Sequence, residues 1–187
     1  MSDEVVNLEH DVLLFDLDGV VYVGSNAVPG AVDAISAAVS RGVRCCFVTN
    51  NASRTAEEVA HHLRDLGIPA SADDVVTSSQ AGASLVAERV ATGAVLAVGG
   101  RGVWEALRER GFTPVPTFDD VTVAVMQGYG PNVGWRDLAE ATFAIRAGLP
   151  WIATNLDMTI PTPRGIAPGN GALVGAVATA VGRRPDA

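Results

Sequence analysis

Two aspartates separated by one residue are the part of this sequence best suited to chemistry. Asp16 and Asp18 follow a short apolar run, residues 11–15, which predicts a fully buried strand. Open α/β sheets bind ligands at the carboxyl ends of their strands, and the two-residue period of extended chain turns both carboxylates the same way. Two like charges this close repel, so the pair favours either protonation of one carboxyl group or a bound cation. A carboxylate nucleophile with an adjacent general acid and Mg²⁺ would require this arrangement.

Gly19 follows the pair and leaves room for the backbone to approach a ligand closely. Taken alone, the segment Asp-Leu-Asp-Gly fits a solvated turn equally well, because Asp and Gly are common turn formers. A calcium-binding EF-hand loop is excluded, since Val20 and Ala27 occupy positions that would have to supply ligands.

A second polar segment, Thr49, Asn50 and Asn51, follows the next predicted strand, residues 43–48. A hydroxyl group, two amides and the N–H groups just before a helix can hold a phosphate, although an ordinary helix N-cap is the simpler interpretation of this segment alone. Both polar segments end neighbouring parallel strands, so they are expected to face one crevice. A dianionic substrate, a divalent metal and a carboxylate nucleophile then form one consistent set of charges.

The elements around these segments alternate between strand and helix, which is typical of a parallel α/β sheet. The first helix is predicted over residues 29–40, and the second over residues 55–66, with a capping box between Thr55 and Glu58 and Gly67 after its end. A second series begins near residue 78, and we place a domain boundary near residue 77. Its predicted helices cover residues 78–91, 102–110, 135–147 and 170–181, and its predicted strands cover residues 94–98, 121–127 and 151–154.

Composition excludes several classes of protein. The 187 residues carry a net charge of −8 without a cluster of basic residues, which argues against nucleic acid or an anionic membrane as the main partner. With 48% hydrophobic residues the chain is not disordered. The adjacent Cys45 and Cys46 are expected to be reduced, residues 1–4 are acidic rather than basic as in a signal peptide, and the apolar run 171–182 is too short for a membrane span. These features predict a soluble, cytoplasmic protein.

Three weaker signals have ordinary structural interpretations. The glycine-rich segment 94–102 imitates a dinucleotide-binding turn, but Glu105 stands where a third small residue is needed. His61 and His62 are expected to be solvated on the polar side of their helix. Trp104, Trp135 and Trp151 are expected to be packing residues.

The two polar segments and a later signature resemble the haloacid dehalogenase superfamily. Residues 15–22 match its first motif, hhhDxDGxxY, and residues 47–50 match its second, hhhTN. Residues 152–157, 161–163 and 169–173 resemble the late cap signature of the NagD-like, p-nitrophenylphosphatase branch. The resemblance implies an α/β fold with the N-terminal part of a Rossmann-like core over residues 1–77 and an inserted α/β cap domain over residues 78–184. The remainder of that core is expected to be absent from this chain.

The resemblance also implies roles for individual residues. Asp16 would be the nucleophile that forms a phospho-aspartate, and Asp18 would be the general acid and base. Asp16 and Asp18, the latter through its main-chain carbonyl, would bind Mg²⁺. Thr49 and Asn50 would hold the phosphoryl group, and Asn155 and Asp157 of the cap would face the substrate.

The implied function is Mg²⁺-dependent hydrolysis of a small phosphomonoester, such as glycerol phosphate or another polyol phosphate, phosphoglycolate or a nucleoside monophosphate. A homodimer formed through the cap is a further expectation. The family's third motif supplies a lysine and its fourth motif supplies metal-binding aspartates, whereas this sequence contains no lysine at all. The alternative is therefore a truncated, non-catalytic fragment or a phosphate-binding module.

Overall fold

The structure is a computed structural model that describes residues 10–162 and 164–187. The acidic segment 1–4 and Pro163 of the cap signature lie outside the described residues. In chain order the elements are β1 (Val12–Asp16), β2 (Tyr22–Val23), β3 (Asn26–Ala27), α1 (Ala31–Ser40), β4 (Arg44–Thr49), α2 (Ala56–Asp65), β5 (Val75–Thr77), α3 (Ser78–Arg89), β6 (Ala94–Val98), α4 (Arg101–Glu109), β7 (Thr113–Val115), β8 (Thr122–Gln127), α5 (Trp135–Arg146), β9 (Trp151–Ala153), β10 (Thr159–Thr162), β11 (Gly165–Pro168) and α6 (Asn170–Val181).

The first sheet has three parallel strands in the order β1-β4-β5. Strand β1 pairs with β4 so that Phe15 lies opposite Phe47, and Val48 lies opposite Val76 of β5. Residues of α1 and α2, including Ile35 and Leu63, belong with Phe47 to the buried cluster on one face of this sheet. We call this sheet with α1 and α2 the first layer.

The second sheet has four parallel strands in the order β7-β6-β8-β9 and is covered on both faces. Leu107 of α4 packs with Met126 of β8 on one face, while Ile145 of α5 packs with Trp151 of β9 on the other. Helix α3 contributes to the first of these clusters and α6 to the second. We call this sheet, its four helices and the β10–β11 hairpin the second layer. The α/β class expected from the sequence is confirmed, and both sheets are parallel.

Helix boundaries agree with the sequence pattern to within about two residues, and α6 agrees at both ends. The predicted capping box is present: the Glu58 N–H donates to Thr55 Oγ1 at 3.1 Å, and the Thr55 N–H donates to the Glu58 carboxylate at 2.8 Å. Gly67 follows α2 with a φ of +87°, a conformation that favours glycine. The strands β2, β3, β5, β7, β10 and β11 were not predicted, because two to four residues carry too little periodicity to reveal a strand.

The prediction that β1 is fully buried is wrong. The strand runs from Val12 to Asp16, and the side chains of Val12 and Leu14 are 46% and 72% exposed. These two side chains alternate away from the face that α1 and α2 cover, and Val48 of the central strand β4 is exposed as well. No part of residues 10–162 or 164–187 buries them.

Two expectations about aromatic residues and histidines also need correction. Trp151 is fully buried, but Trp135 is 80% exposed at the start of α5, so it is not a packing residue. His62 is not simply solvated, because its ring meets the edge of the Tyr22 ring at 4.7 Å between centroids and its Nε2 lies 3.1 Å from the carbonyl oxygen of Gly24. The unpredicted β2–β3 hairpin creates this contact.

Among the described residues, no helix combines the length and the apolar character needed to cross a membrane.

Candidate active site

A cavity of about 420 Å³ lies where the carboxyl ends of strands from both layers meet. The first layer contributes the ends of β1 and β4, and the second layer contributes the segments after β8 and β9 together with β10. Ligands of parallel α/β sheets bind at such ends. The residues that line the cavity are Asp16, Asp18, Asn50, Asn51, Ala52, Ser53, Arg54, Tyr129, Asn155, Asp157, Thr159, Ile160, Pro161, Thr162 and Asn170.

The two aspartates at the end of β1 both line this cavity. They flank Leu17, which is completely buried and fixes the backbone between them. The Leu17 N–H donates to Asp16 Oδ1 at 2.9 Å, which orients the Asp16 carboxylate. The two aspartates face the same cavity, as predicted, because the buried Leu17 side chain between them points away from it.

The environment of Asp18 favours its protonated form. Partial burial raises the pKa of the Asp18 carboxyl group, and the neighbouring charge of Asp16 raises this pKa further, while Arg54 and His62 oppose the shift. The same surroundings raise the pKa of Tyr22 to about 12, mainly by burial and then through the charge of Asp18. A carboxyl group whose pKa is raised by burial and by a neighbouring carboxyl group is suited to act as a general acid.

Gly19 and Thr49 were predicted as site residues, but they do not line the cavity. Gly19 adopts a φ of +82° in the turn after the aspartates, and its N–H donates to the Tyr22 carbonyl at 2.8 Å. Thr49 is buried, and its Oγ1 accepts a hydrogen bond from the Asn51 N–H at 3.0 Å. In this structure both residues shape the loops that carry the lining residues.

The loop after β4 is fixed by contacts with its own side chains and with the second layer. Asn51 Oδ1 accepts hydrogen bonds from the N–H and the hydroxyl of Ser53, at 2.9 and 2.7 Å. The Ser79 hydroxyl donates to the Ala52 carbonyl at 3.0 Å, and the Gly102 N–H donates to the Ser53 carbonyl at 3.1 Å. Contacts within the loop and contacts from the second layer therefore fix the conformation of this loop.

Asparagine amides connect the two layers at the cavity. The side-chain amide of Asn155 donates to the Asn50 carbonyl at 2.9 Å, and the Asn50 side chain donates to Asp157 Oδ2 at 3.3 Å. Behind them the buried Asn170 donates to the Asn155 carbonyl at 2.8 Å. Asn155 and Asp157, which were predicted from the late signature, thus lie beside Asn50 and Asn51 from the second predicted segment.

Glycines allow these connections because a side chain at their positions would overlap backbone. A Cβ atom on Gly102 would collide with the carbonyl oxygens of Ala52 and Arg54, and one on Gly171 would collide with the Leu156 carbonyl. The glycine-rich segment that imitates a dinucleotide-binding turn is therefore explained by close packing of α4 against the loop after β4.

Several lining residues were not predicted as site residues, namely Ser53, Arg54, Tyr129, Asn170 and residues 159–162. Ser53 and Arg54 directly follow the second polar segment, so their position next to Asn51 was the available signal. Tyr129 and residues 159–162 had no comparable signal, because they reach the cavity only through the folding of the second layer.

The oxygen ligands at the end of β1 fit a small, hard cation. Two carboxyl groups on one wall, with the charge of Asp16 raising the pKa of Asp18, form a site that a cation would stabilise. Mg²⁺ commonly binds through one or two carboxylates and keeps waters or phosphate oxygens as its other ligands. Within the described part of the chain no three or more His, Cys, Asp or Glu side chains are grouped to hold a metal.

Residues 13–113 match the family model described as haloacid dehalogenase-like hydrolase. The chain belongs to this family. It is 51% identical over 178 residues to the D-glycerol 3-phosphate phosphatase of Mycobacterium tuberculosis, covering 95% of this chain and 50% of that protein. It is 36% identical over 178 residues to the acid sugar phosphatase of Staphylococcus aureus strain USA300, covering 95% of this chain and 68% of the relative.

Solved structures give the same relationship. The crystal structure of the glycerol phosphate phosphatase from Mycobacterium tuberculosis in complex with magnesium superposes with a TM-score of 0.88 at 49% identity, covering 95% of this chain and 53% of that one. A structure described as a putative p-nitrophenyl phosphatase from Bacillus subtilis superposes with a TM-score of 0.82 at 33% identity, covering 94% of this chain and 67% of that one. This haloacid dehalogenase-like chain spans about half the length of the mycobacterial relative it matches. The resemblance to the p-nitrophenylphosphatase branch is thereby confirmed.

Proposed function

We propose that this protein hydrolyses a small phosphomonoester in a Mg²⁺-dependent reaction, with Asp16 as the nucleophile. The observation that carries the proposal is that Asp16 and Asp18 share a cavity with the amides of Asn50 and Asn51. The names of the relatives, a D-glycerol 3-phosphate phosphatase and an acid sugar phosphatase, support the reaction class.

The proposed reaction has two steps. The Asp16 carboxylate attacks phosphorus, so that an Asp16–phosphoryl bond forms while the ester P–O bond breaks and the leaving oxygen takes the proton of Asp18. The Asp18 carboxylate then accepts a proton from water, the water oxygen attacks phosphorus, and the release of phosphate regenerates Asp16. The raised pKa of Asp18 supports its role in the first step, which needs the protonated form.

The Asp16 and Asp18 segment is the proposed Mg²⁺ site, through the Asp16 carboxylate and the main-chain carbonyl of Asp18. The complex of the mycobacterial relative with magnesium supports this assignment. When bound, the metal would supply positive charge beside the phosphoryl oxygens. Asn50 and Asn51 would donate to those oxygens, and Thr49 and Gly19 would hold the loops in position.

We also propose that residues 1–77 form part of the core and that residues 78–184 form a cap that selects the substrate. The two separate sheets support this division, and Asn155 and Asp157 are the selecting residues. Amide and hydroxyl groups on the cap side favour a hydroxyl-bearing leaving group, hence a polyol or sugar phosphate. The free thiols of Cys45 and Cys46 support a cytoplasmic location. A homodimer through this cap stays a prediction, for which the exposed Trp135 marks a surface to test.

A second candidate function is phosphate binding without turnover. Two observations favour it for this chain: the sequence contains no lysine, and the described residues hold no third acidic ligand grouped with Asp16 and Asp18. The loss of one electrostatic contact to a transition state commonly costs about 10²–10³ in rate. We therefore expect this chain to turn over at least a hundredfold more slowly than its mycobacterial relative under the same conditions.

Hydrolysis of p-nitrophenyl phosphate with and without Mg²⁺ separates the two functions. We expect slow, Mg²⁺-dependent release of p-nitrophenol that Asp16→Asn abolishes. Asp11→Asn is the matched control, because it removes an exposed carboxylate from the same part of the chain without altering the cavity. Turnover that persists in Asp16→Asn contradicts the proposed mechanism, and phosphate binding with no turnover favours the second function.

A further inference from the structure

The cavity has an excess of acidic groups. Three aspartates, Asp16, Asp18 and Asp157, line it, whereas Arg54 is its single basic lining residue among those the structure describes. The sequence contains no lysine that could contribute elsewhere. Any anion that enters this cavity therefore meets one guanidinium group of this chain.

The Arg54 guanidinium has no partner within residues 10–162 and 164–187, although several arginines of the chain do. Arg101 forms an ion pair with Glu58 at 2.9 Å, and Arg64 forms one with Glu57 at 2.7 Å. No hydrogen bond or ion pair among the described residues engages the Arg54 side chain, and Arg54 lines the same cavity as Asp16 and Asp18. The guanidinium is thus close enough to influence the acidic pair and free to bind a ligand.

The backbone of Arg54 is held firmly while its side chain is not. The Ser53 carbonyl accepts from the Gly102 N–H at 3.1 Å, and the Arg54 carbonyl packs directly against Gly102. The loop is also held through the Ala52 carbonyl by Ser79. A fixed base reduces the conformational entropy that the side chain loses when it binds.

Charge balance indicates what Arg54 binds. A phosphomonoester carries a charge of about −2 at neutral pH. The carboxyl groups of Asp16, Asp18 and Asp157 add to this negative charge, and among the described residues Arg54 is the one lining side chain that supplies positive charge beside a divalent cation. A planar guanidinium can also donate two parallel hydrogen bonds to phosphate oxygens.

We propose that Arg54 is a phosphate-binding residue of this cavity and that its guanidinium contacts the substrate's phosphate group directly. This inference rests on the proposed function, because it presupposes that a phosphomonoester occupies the cavity. Arg54 lies in the loop after β4, where the first layer meets α4 of the second layer. The positive charge that faces the substrate's phosphate group therefore comes from the first layer.

The test is isothermal titration calorimetry of inorganic phosphate into the whole chain with Mg²⁺ present. We expect Arg54→Met to weaken phosphate binding by about tenfold to a hundredfold, as loss of a charged hydrogen bond would. The phosphate affinity of Arg54→Lys should lie between those of Arg54→Met and the unsubstituted chain. Lysine keeps the positive charge but lacks the planar guanidinium that can donate two parallel hydrogen bonds. Arg136→Met is the matched control, since it removes an exposed arginine of α5 outside the cavity and changes the net charge equally.

Equal phosphate affinity of Arg54→Met and Arg136→Met would overturn the inference, as would the absence of phosphate binding by the unsubstituted chain. A shifted pH profile without any change in phosphate affinity would also overturn it, because Arg54 would then act only on Asp18. The proposed function fails separately, through turnover that does not need Asp16.

Discussion

Asp18 shows how the surroundings of one side chain can assign it a chemical role. Its carboxyl group is partly shielded from water and lies beside the carboxyl group of Asp16, and both effects raise its pKa. The folded protein therefore binds the Asp18 proton more tightly than the unfolded chain does. It follows that the protonated form contributes stability at low pH, and that this contribution is lost as pH rises through the raised pKa.

Asp18→Asn should therefore stabilise the metal-free protein at neutral pH. We expect a Tm about 2 °C higher than that of the unsubstituted chain at pH 7, a small effect because the side chain is largely exposed. The difference should disappear below pH 3.8, where the carboxyl group is protonated in both states. Thermal unfolding of both proteins across this pH range, in the presence of a chelator, tests the sign. A lower Tm for Asp18→Asn at pH 7 would contradict it.

Bound Mg²⁺ should offset the repulsion between the Asp16 and Asp18 carboxyl groups and thereby stabilise the folded protein. At a concentration of 100 times its Kd, a ligand of the folded state stabilises it by about 2.7 kcal/mol. We expect Mg²⁺ to raise the Tm of the unsubstituted chain by several degrees and a chelator to remove the increase. Asp16→Asn should abolish the response, whereas Asp11→Asn should retain it. An equal response of both variants would place the metal elsewhere.

Among the elements, two glycines allow the starts of α4 and α6 to approach the segments that line the cavity. Gly102 at the start of α4 contacts the loop after β4, and Gly171 at the start of α6 contacts the turn that carries Asn155 and Asp157. Both helix starts thus hold segments that line the cavity. A side chain at either glycine would move those segments apart from the aspartates of β1.

Gly102→Ala should destabilise the fold by about 2 kcal/mol, because its Cβ atom would overlap two carbonyl oxygens of the loop. Gly175→Ala in the middle of α6 is the control: nothing lies within 4 Å of its Cβ position, so alanine should stabilise the helix by about 0.5–1 kcal/mol. Urea unfolding of both variants measures the two changes. Equal stability of Gly102→Ala and the unsubstituted chain would contradict the proposed role of the close approach between Gly102 and the loop after β4.

The helices and the first-layer site residues could be predicted because local pattern determines them. The capping box of α2 and the aspartates at the end of β1 are both readable from neighbouring residues. The exposure of β1 could not be predicted, because it depends on which face of the first sheet the helices cover. The same limit applies to Tyr129 and residues 159–162, which reach the cavity only through the folding of the second layer.

For the whole molecule, the uncovered face of the first sheet is the feature with the clearest consequence. Val12 and Leu14 of β1, Val48 of β4 and Val76 of β5 all point away from α1 and α2 and are exposed. Parallel sheets are normally covered on both faces, and exposed apolar strands at an edge favour association. The face is therefore expected to limit the solubility of this chain.

Leu14→Thr should increase solubility without loss of stability, since Leu14 contributes exposed apolar surface and threonine suits a strand. Leu63→Thr is the contrasting variant, because Leu63 is completely buried under the first sheet. It should lose about 3 kcal/mol and become less soluble. Light scattering of concentrated samples, together with their Tm values, compares the variants. Unchanged aggregation of Leu14→Thr would show that this face is not the cause.

Covalent phosphorylation of Asp16 can be measured directly. The chain is mixed with p-nitrophenyl phosphate and Mg²⁺, quenched in acid after a short time, and digested for mass spectrometry of its peptides. We expect one phosphoryl group on the peptide that contains Asp16, and none on that peptide in the Asp16→Asn variant. Turnover of the substrate with the phosphoryl group on another residue, or with no phosphorylated peptide at any time, would contradict this expectation.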